Sequence, residues 1–212
     1  MKKFILFLVG CFVVFSCSGG AARNANDRIE ATIRLNTHVD VRSSLRFKSI
    51  KYFLAEDVKA GDIEFHHKLR DVEFCKEQLE TAKQKHDYSF SIQYRTEDLK
   101  RAEGYLNDHL NLVYGPRVFN YEDDLSTDLK TIESSAPLAG YWAIATYSAK
   151  NKYGQTMSDV ECFFIHKTHC KATYKNGKVE EYDSYQVLNK VNILDYHEAE
   201  KKVYQNQIIT VK

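Results

Sequence analysis

Two prolines in 212 residues, and no stretch rich in proline or serine, leave the chain without the composition that marks an interdomain linker. No internal repeat is visible either, so one domain is the simplest organisation for a chain of this length. An excess of charge is missing too: 30 Lys and Arg stand against 29 Asp and Glu, a formal +1. Nucleic-acid partners call for a basic face and a clear positive excess, so this balance excludes that class. The apolar run near the N-terminus, Phe4 to Phe15, spans only 12 residues, whereas a bilayer-crossing helix needs about 20. A permanent transmembrane helix is therefore not expected. GxSxG, HExxH, a Walker loop and a glycine-rich dinucleotide fingerprint are all absent, which weighs against catalysis without removing it, because a site can be assembled from dispersed residues.

What is present is aromatic and strand-forming: 14 Tyr and 12 Phe, whose broad rings suit half-buried pleated faces. At the N-terminus, Lys2 and Lys3 precede FILFLVGCFVVF, and SCSGG follows. This is the plan of an export signal, with a positive start, a short apolar stretch and a small-residue end. Val14-Phe15-Ser16-Cys17 resembles the lipobox of bacterial lipoproteins. The resemblance implies a signal peptide over residues 1–16, export, and acyl chains such as palmitate on Cys17, the first residue of the mature chain. Two or more acyl chains give stable membrane anchoring. Leu8-Val9-Gly10-Cys11 matches the same pattern, but would leave the apolar stretch too short and FVVF in the mature tail. A conventional secretory signal or an uncleaved anchor also stays open. Without Lys2 and Lys3 the balance becomes 28 against 29, a net charge of −1.

Residues 17–27, CSGGAARNAND, read as a flexible tether, and residues 28–212 as a single α+β domain. A helix is expected from Asn26 or Asp27, with Ile29 and Ile33 one turn apart. A strand over Ser49–Val58 and a turn at Ala60-Gly61 lead into a helix over about residues 62–85, on which Phe65, Leu69, Val72, Leu79 and Ala82 share a face. Tyr88, Phe90, Ile92 and Tyr94 alternate with polar residues, which predicts a strand whose aromatic face lies on the core beneath the helices, with a pocket lining or partner surface as the alternative. Thr96 then caps a further helix ending before Tyr114, and a short one carries Leu125, Leu129 and Ile132. Beyond Pro137 two hairpins follow, one turning near Gly154 and one at Asn176-Gly177. The tail from Val187 is ambiguous between a short helix and a closing strand, QIITVK. Helices packed on one face of a C-terminal antiparallel sheet result, an element order similar to cystatin/NTF2-like folds.

The thiols left after maturation are Cys75, Cys162 and Cys170. Cys75 belongs to a helical core face. Cys162 and Cys170 flank His166 symmetrically, so a tight turn there would bring them together as a disulfide, with two free buried thiols as the alternative. CFFIHKTHC also holds His166 and His169, but lacks zinc-finger spacing, and no metal site is expected. His66-His67 point about 100° apart on a helix and cannot clamp one ion. His109 reads as a hydrogen-bonded histidine at the core edge. Glu122, Asp123 and Asp124 read as charges at a helix N-terminus. Neither cofactor nor catalytic residue is implied. The functional expectation is a lipid-anchored cell-envelope module that binds a partner protein or a small ligand, with a hydrolase-like envelope enzyme as the alternative.

Overall fold

The computed structural model describes residues 24–191. Cys17, the lipobox, most of the tether and QIITVK lie outside these residues. The chain begins with α1 (Ala25–Asn36), capped by Asn24, whose side chain accepts from the Asp27 amide. The helix thus starts inside the segment assigned to the tether. A single turn, α2 (Val39–Arg42), leads to β1 (Arg46–Leu54). Two long helices follow, α3 (Ile63–Gln84) and α4 (Ser89–Tyr114). The remainder is β2 (Arg117–Asn120), β3 (Leu129–Ser134), β4 (Ala139–Lys150), β5 (Thr156–Tyr174) and β6 (Val179–Val191). Helices gathered in the N-terminal half, around the single strand β1, and an antiparallel sheet built mostly from the C-terminal half make this an α+β fold.

Strand β5 organises the sheet. Its residues 162–167 pair with both β4 and β6, and residues 170–173 with both β3 and β6. Hence β4 and β3 follow one another along one edge of β5, and β6 runs along the other. β1 pairs with β4 and β2 with β3, giving the order β1-β4-β5-β3-β2 with β6 beside β5. The expected turns close the hairpins: Gly154 and Gly177 hold φ of 79° and 83°, the left-handed region that a Cβ disfavours.

Period-two alternation sorts the sheet residues onto two faces. Tyr52, Tyr141, Ala143, Tyr147, Phe163 and Ile165 pack with Ile29 and Ile33 of α1 in one cluster. Their neighbours Phe53, Ile144, Cys162 and Phe164, with Trp142 and Leu188, form a second cluster. Small residues oppose large ones across the ladder, as in Ala143 opposite Phe163, so the layers interlock. Ile132, Cys170 and Ala172 centre a third cluster with Phe119 and Tyr182.

Four expectations are overturned. Tyr88–Tyr94 is not a strand: Tyr88 is the N-cap of α4 and the next six residues are helical. Thr96 is no cap but lies within α4, bonding back to the Ile92 carbonyl. The physical reason is tertiary, since 22 residues of α3 offer a seam that α4 can bury only by being helical along its whole length. The short helix around Leu125–Ile132 is instead a turn and β3, because the length of β5 beyond β4 presents an edge that Leu129–Ser134 pairs with. Finally, Cys162 and Cys170 are not joined as a disulfide and lie on one unbroken strand. Eight residues at about 3.3 Å each separate them by roughly 26 Å, far beyond disulfide reach.

Candidate functional site

Helices α3 and α4 pack chiefly on each other. Val72, Leu79 and Ala82 are the buried residues of α3, all on the seam, and His109 is the sole buried residue of α4. With about 1.5 Å rise per residue, the pair forms an arm on the order of 35 Å long. Rings line it on the outside: Tyr88 is 89% exposed, Phe90 79%, Tyr94 55% and Tyr105 62%, with Leu112 at 56%. The rings expected beneath the helices therefore face solvent, and of that alternating set Ile92 alone turns into the seam, half-buried. Arg95 donates to Gln78 at 2.8 Å, and Lys76 meets Glu103 at 3.8 Å, further ties along the arm.

The base of the arm is fastened to the sheet by a buried polar cluster. Asp62 stands where the β1–α3 loop becomes helix, and its Oδ1 caps α3 by accepting from the Phe65 amide at 3.0 Å. Its Oδ2 accepts from His109 Nε2 and from the Tyr114 hydroxyl, both at 2.7 Å. One carboxylate thus ties the start of α3 to the end of α4. His109 Nδ1 turns toward Glu64 Oε1, 3.7 Å away. The Tyr114 ring lies against the ring of His166 from β5, centroids 5.2 Å apart. His166 in turn reaches the loop through Nε2, 2.5 Å from the Val58 carbonyl. That bond places the proton on Nε2 and leaves buried Nδ1 without a partner.

Two glycines let the loop come this close. A Cβ on Gly61 would stand 2.4 Å from the Phe164 ring and 2.7 Å from Trp142, and one on Gly140 would meet Phe164 at 2.8 Å. Lys59 covers the cluster with its ammonium 4.9 Å from the Phe65 ring centre and 5.3 Å from that of Tyr114.

Electrostatics follow from this burial. Desolvation pushes the Asp62 carboxyl upward, but the bonds from Phe65, His109 and Tyr114 together outweigh it and hold it below the usual carboxylate range. Tyr114 is driven well above an ordinary phenol, first by burial and then by its bond to Asp62. Burial also lowers the His166 imidazole, although the Val58 carbonyl and the Asp62 charge act the other way. The cluster is arranged as a joint: the polar atoms of Asp62 and Tyr114 are spent on each other and on the backbone, and side chains fill the space around them.

The other residues singled out in the sequence disperse. His66 and His67 are exposed on α3, and His169 is exposed beside Asp183 and Glu181. His166, by contrast, is fully buried, while Cys162 and Cys170 belong to separate clusters. Asp124 closes a turn by accepting from the Ser126 amide and hydroxyl, with no helix following it. Among the described residues no group of three His, Cys, Asp or Glu side chains is placed to hold a metal ion. Nor is any described helix long and apolar enough to cross a membrane. A shallow depression at the β1–β4 edge, lined by Ser43, Ser44, Arg46, Ser148, Lys150 and Thr156, was not foreseen from the sequence.

His109 was legible as a hydrogen-bonded core-edge histidine. Asp62, Tyr114 and His166 were missed as its company, and the available signal was Asp62 itself, a capping residue directly before an apolar run of helical period. Comparison with known proteins finds no matching family model, no matching curated protein and no matching solved structure.

Proposed function

We propose that this protein is a lipid-anchored binding module of the bacterial cell envelope, held by acyl chains on Cys17 and acting through the α3–α4 arm. The observation that carries the binding role is the row of exposed rings on that arm, Phe90, Tyr94 and Tyr105 above all. Water disfavours such area, and contiguous exposed apolar surface marks interaction sites. The anchoring role is supported by the leader and by Cys17, which follows directly on the small residue Ser16.

Intact mass of the membrane-extracted protein tests the anchor. The wild-type chain is expected to begin at Cys17 and to carry acyl mass, and Cys17→Ser to lose it. Acyl mass persisting in Cys17→Ser would transfer the assignment to Cys11. The binding role is tested by replacing Phe90, Tyr94 and Tyr105 together with Ser. The helical signal in circular dichroism should be retained while association is lost, and unchanged association would move the binding surface off the arm.

A further inference from the structure

The middle of the outward face of α4 matches itself under reversal, Tyr94 with Tyr105 and Asp98 with Arg101. Phe90, Tyr94, Asp98, Arg101, Tyr105 and Leu112 succeed one another at intervals of four, four, three, four and seven residues. At 3.6 residues per turn these intervals keep all six on one face. Ile92, Leu99, Leu106 and Val113, seven residues apart, are half-buried on the opposite side, in the seam with α3. The outward stripe thus carries rings and Leu112 towards both ends and Asp98 with Arg101 in the middle, while the exposed carboxylates Glu97 and Asp108 run along one side of it. There Arg101 pairs with Asp98 of its own helix, with both side chains partly exposed.

We infer that the partner of this face is a second copy of the same chain, docked antiparallel through α4 about a two-fold axis passing between Leu99 and Lys100. This rests on the arm being the binding element. In that arrangement Tyr94 meets Tyr105 of the second copy, Asp98 meets its Arg101, and Leu112 falls beside its Tyr88 and Phe90. Each matched pair occurs twice, as a two-fold interface requires. Charge complementarity selects this occupant: reversal places each carboxylate against a guanidinium, whereas a parallel alignment would set Asp98 against Asp98 and Arg101 against Arg101.

Size points the same way. A fully enclosed aromatic side chain buries about 150–250 Å², so the exposed parts of these rings and Leu112 amount to on the order of 1,000 Å² over two copies, the lower edge of a specific interface. Association is therefore weak in free solution and strengthened when both copies are confined to one membrane surface, where effective concentration is raised. Dimerisation joins two two-helix arms into a four-helix arrangement and removes the rings from water.

Sedimentation equilibrium of the full chain in density-matched detergent micelles tests this. A monomer–dimer equilibrium is expected, with Kd raised by about tenfold or more when Tyr94→Lys and Tyr105→Lys are combined. Asp98→Arg alone turns the Asp98–Arg101 pair into two cations and Arg101→Asp alone turns it into two anions, so each variant by itself should be largely monomeric. Mixed together they should pair, since each cation then faces an anion. Circular dichroism of each variant separates lost pairing from lost helix. A monomer at every concentration, or a failure of the mixed variants to pair, would overturn the proposal. Flotation of the Cys17→Ser chain with phosphatidylcholine–phosphatidylglycerol vesicles that depends on Tyr94 and Tyr105, without any dimer, would overturn it in favour of the bilayer as occupant. Acylation at Cys17 is read separately, so none of these outcomes alters the anchor.

Discussion

Asp62 accepts three hydrogen bonds through two oxygens and so ties the loop to both α3 and α4. Asp62→Ala removes a helix cap, worth about 1 kcal/mol, and strands two buried donors at roughly 1–3 kcal/mol each. A loss of about 3 kcal/mol in urea unfolding is expected, with Asp62→Asn milder because an amide oxygen still caps Phe65. His166 sets a pH dependence. Its folded pKa lies below the ordinary 6.5, so the unfolded chain binds the proton first and stability falls as pH drops below 6.5. Asp62 acts in a separate window, its contribution present above 3.8 and lost as pH falls further. The urea midpoint should therefore decline as pH falls below 6.5, and His166→Phe should flatten that slope while leaving the separate loss below pH 3.8. An unchanged slope in His166→Phe would assign the titration elsewhere.

At the scale of elements, the arm and the β5–β6 hairpin show opposite relations between sequence and structure. Asn176-Gly177 requires a left-handed residue wherever the strands go, and Gly177 adopts φ of 83°. Gly177→Ala is expected to cost about 1 kcal/mol with the fold retained, measured as a lowered urea midpoint with unchanged m-value. Gly61→Ala acts differently, since its Cβ would run into Phe164 and Trp142. The overpacking should cost about 1–3 kcal/mol. Ordinary strain of that kind is a matter of contacts that local pattern does not encode. In α4 the alternation Tyr88, Phe90, Ile92, Tyr94 suits a strand, yet Ile92 also begins the seven-residue repeat continued by Leu99, Leu106 and Val113. The longer repeat prevails because it has a partner to bury against.

For the whole molecule, the consequence of this design is uneven stability. The sheet and α1 enclose three buried clusters, while the arm has a single seam and one buried joint. Regions with few buried contacts open at lower free energy. Amide hydrogen exchange should therefore be slowest in β4 and β5, faster in α3 and α4, and fastest near Tyr88. Asp62→Ala should accelerate exchange in the arm more than in the sheet; equal acceleration of both would show that the arm and sheet unfold as one unit.

Several features were determined by sequence alone: the apolar face of α3, the two glycine turns, the alternation of β4 and β5, and the α+β order of elements. Each is a local property, set by the helical or pleated period and by the φ that a turn demands. The tertiary structure decided what required a distant partner. It made Tyr88–Tyr94 helical by supplying α3 as a seam, and made Leu129–Ser134 a strand by supplying the open edge of β5. By continuing β5 straight through His166 it also drew Cys162 and Cys170 apart. The joint belongs here as well, since 47 residues separate Asp62 from His109 and no local pattern links them. Periodicity identifies which face of an element seeks burial, but only the assembled chain settles whether a surface is there to receive it, and on the outer face of α4 the described residues supply none.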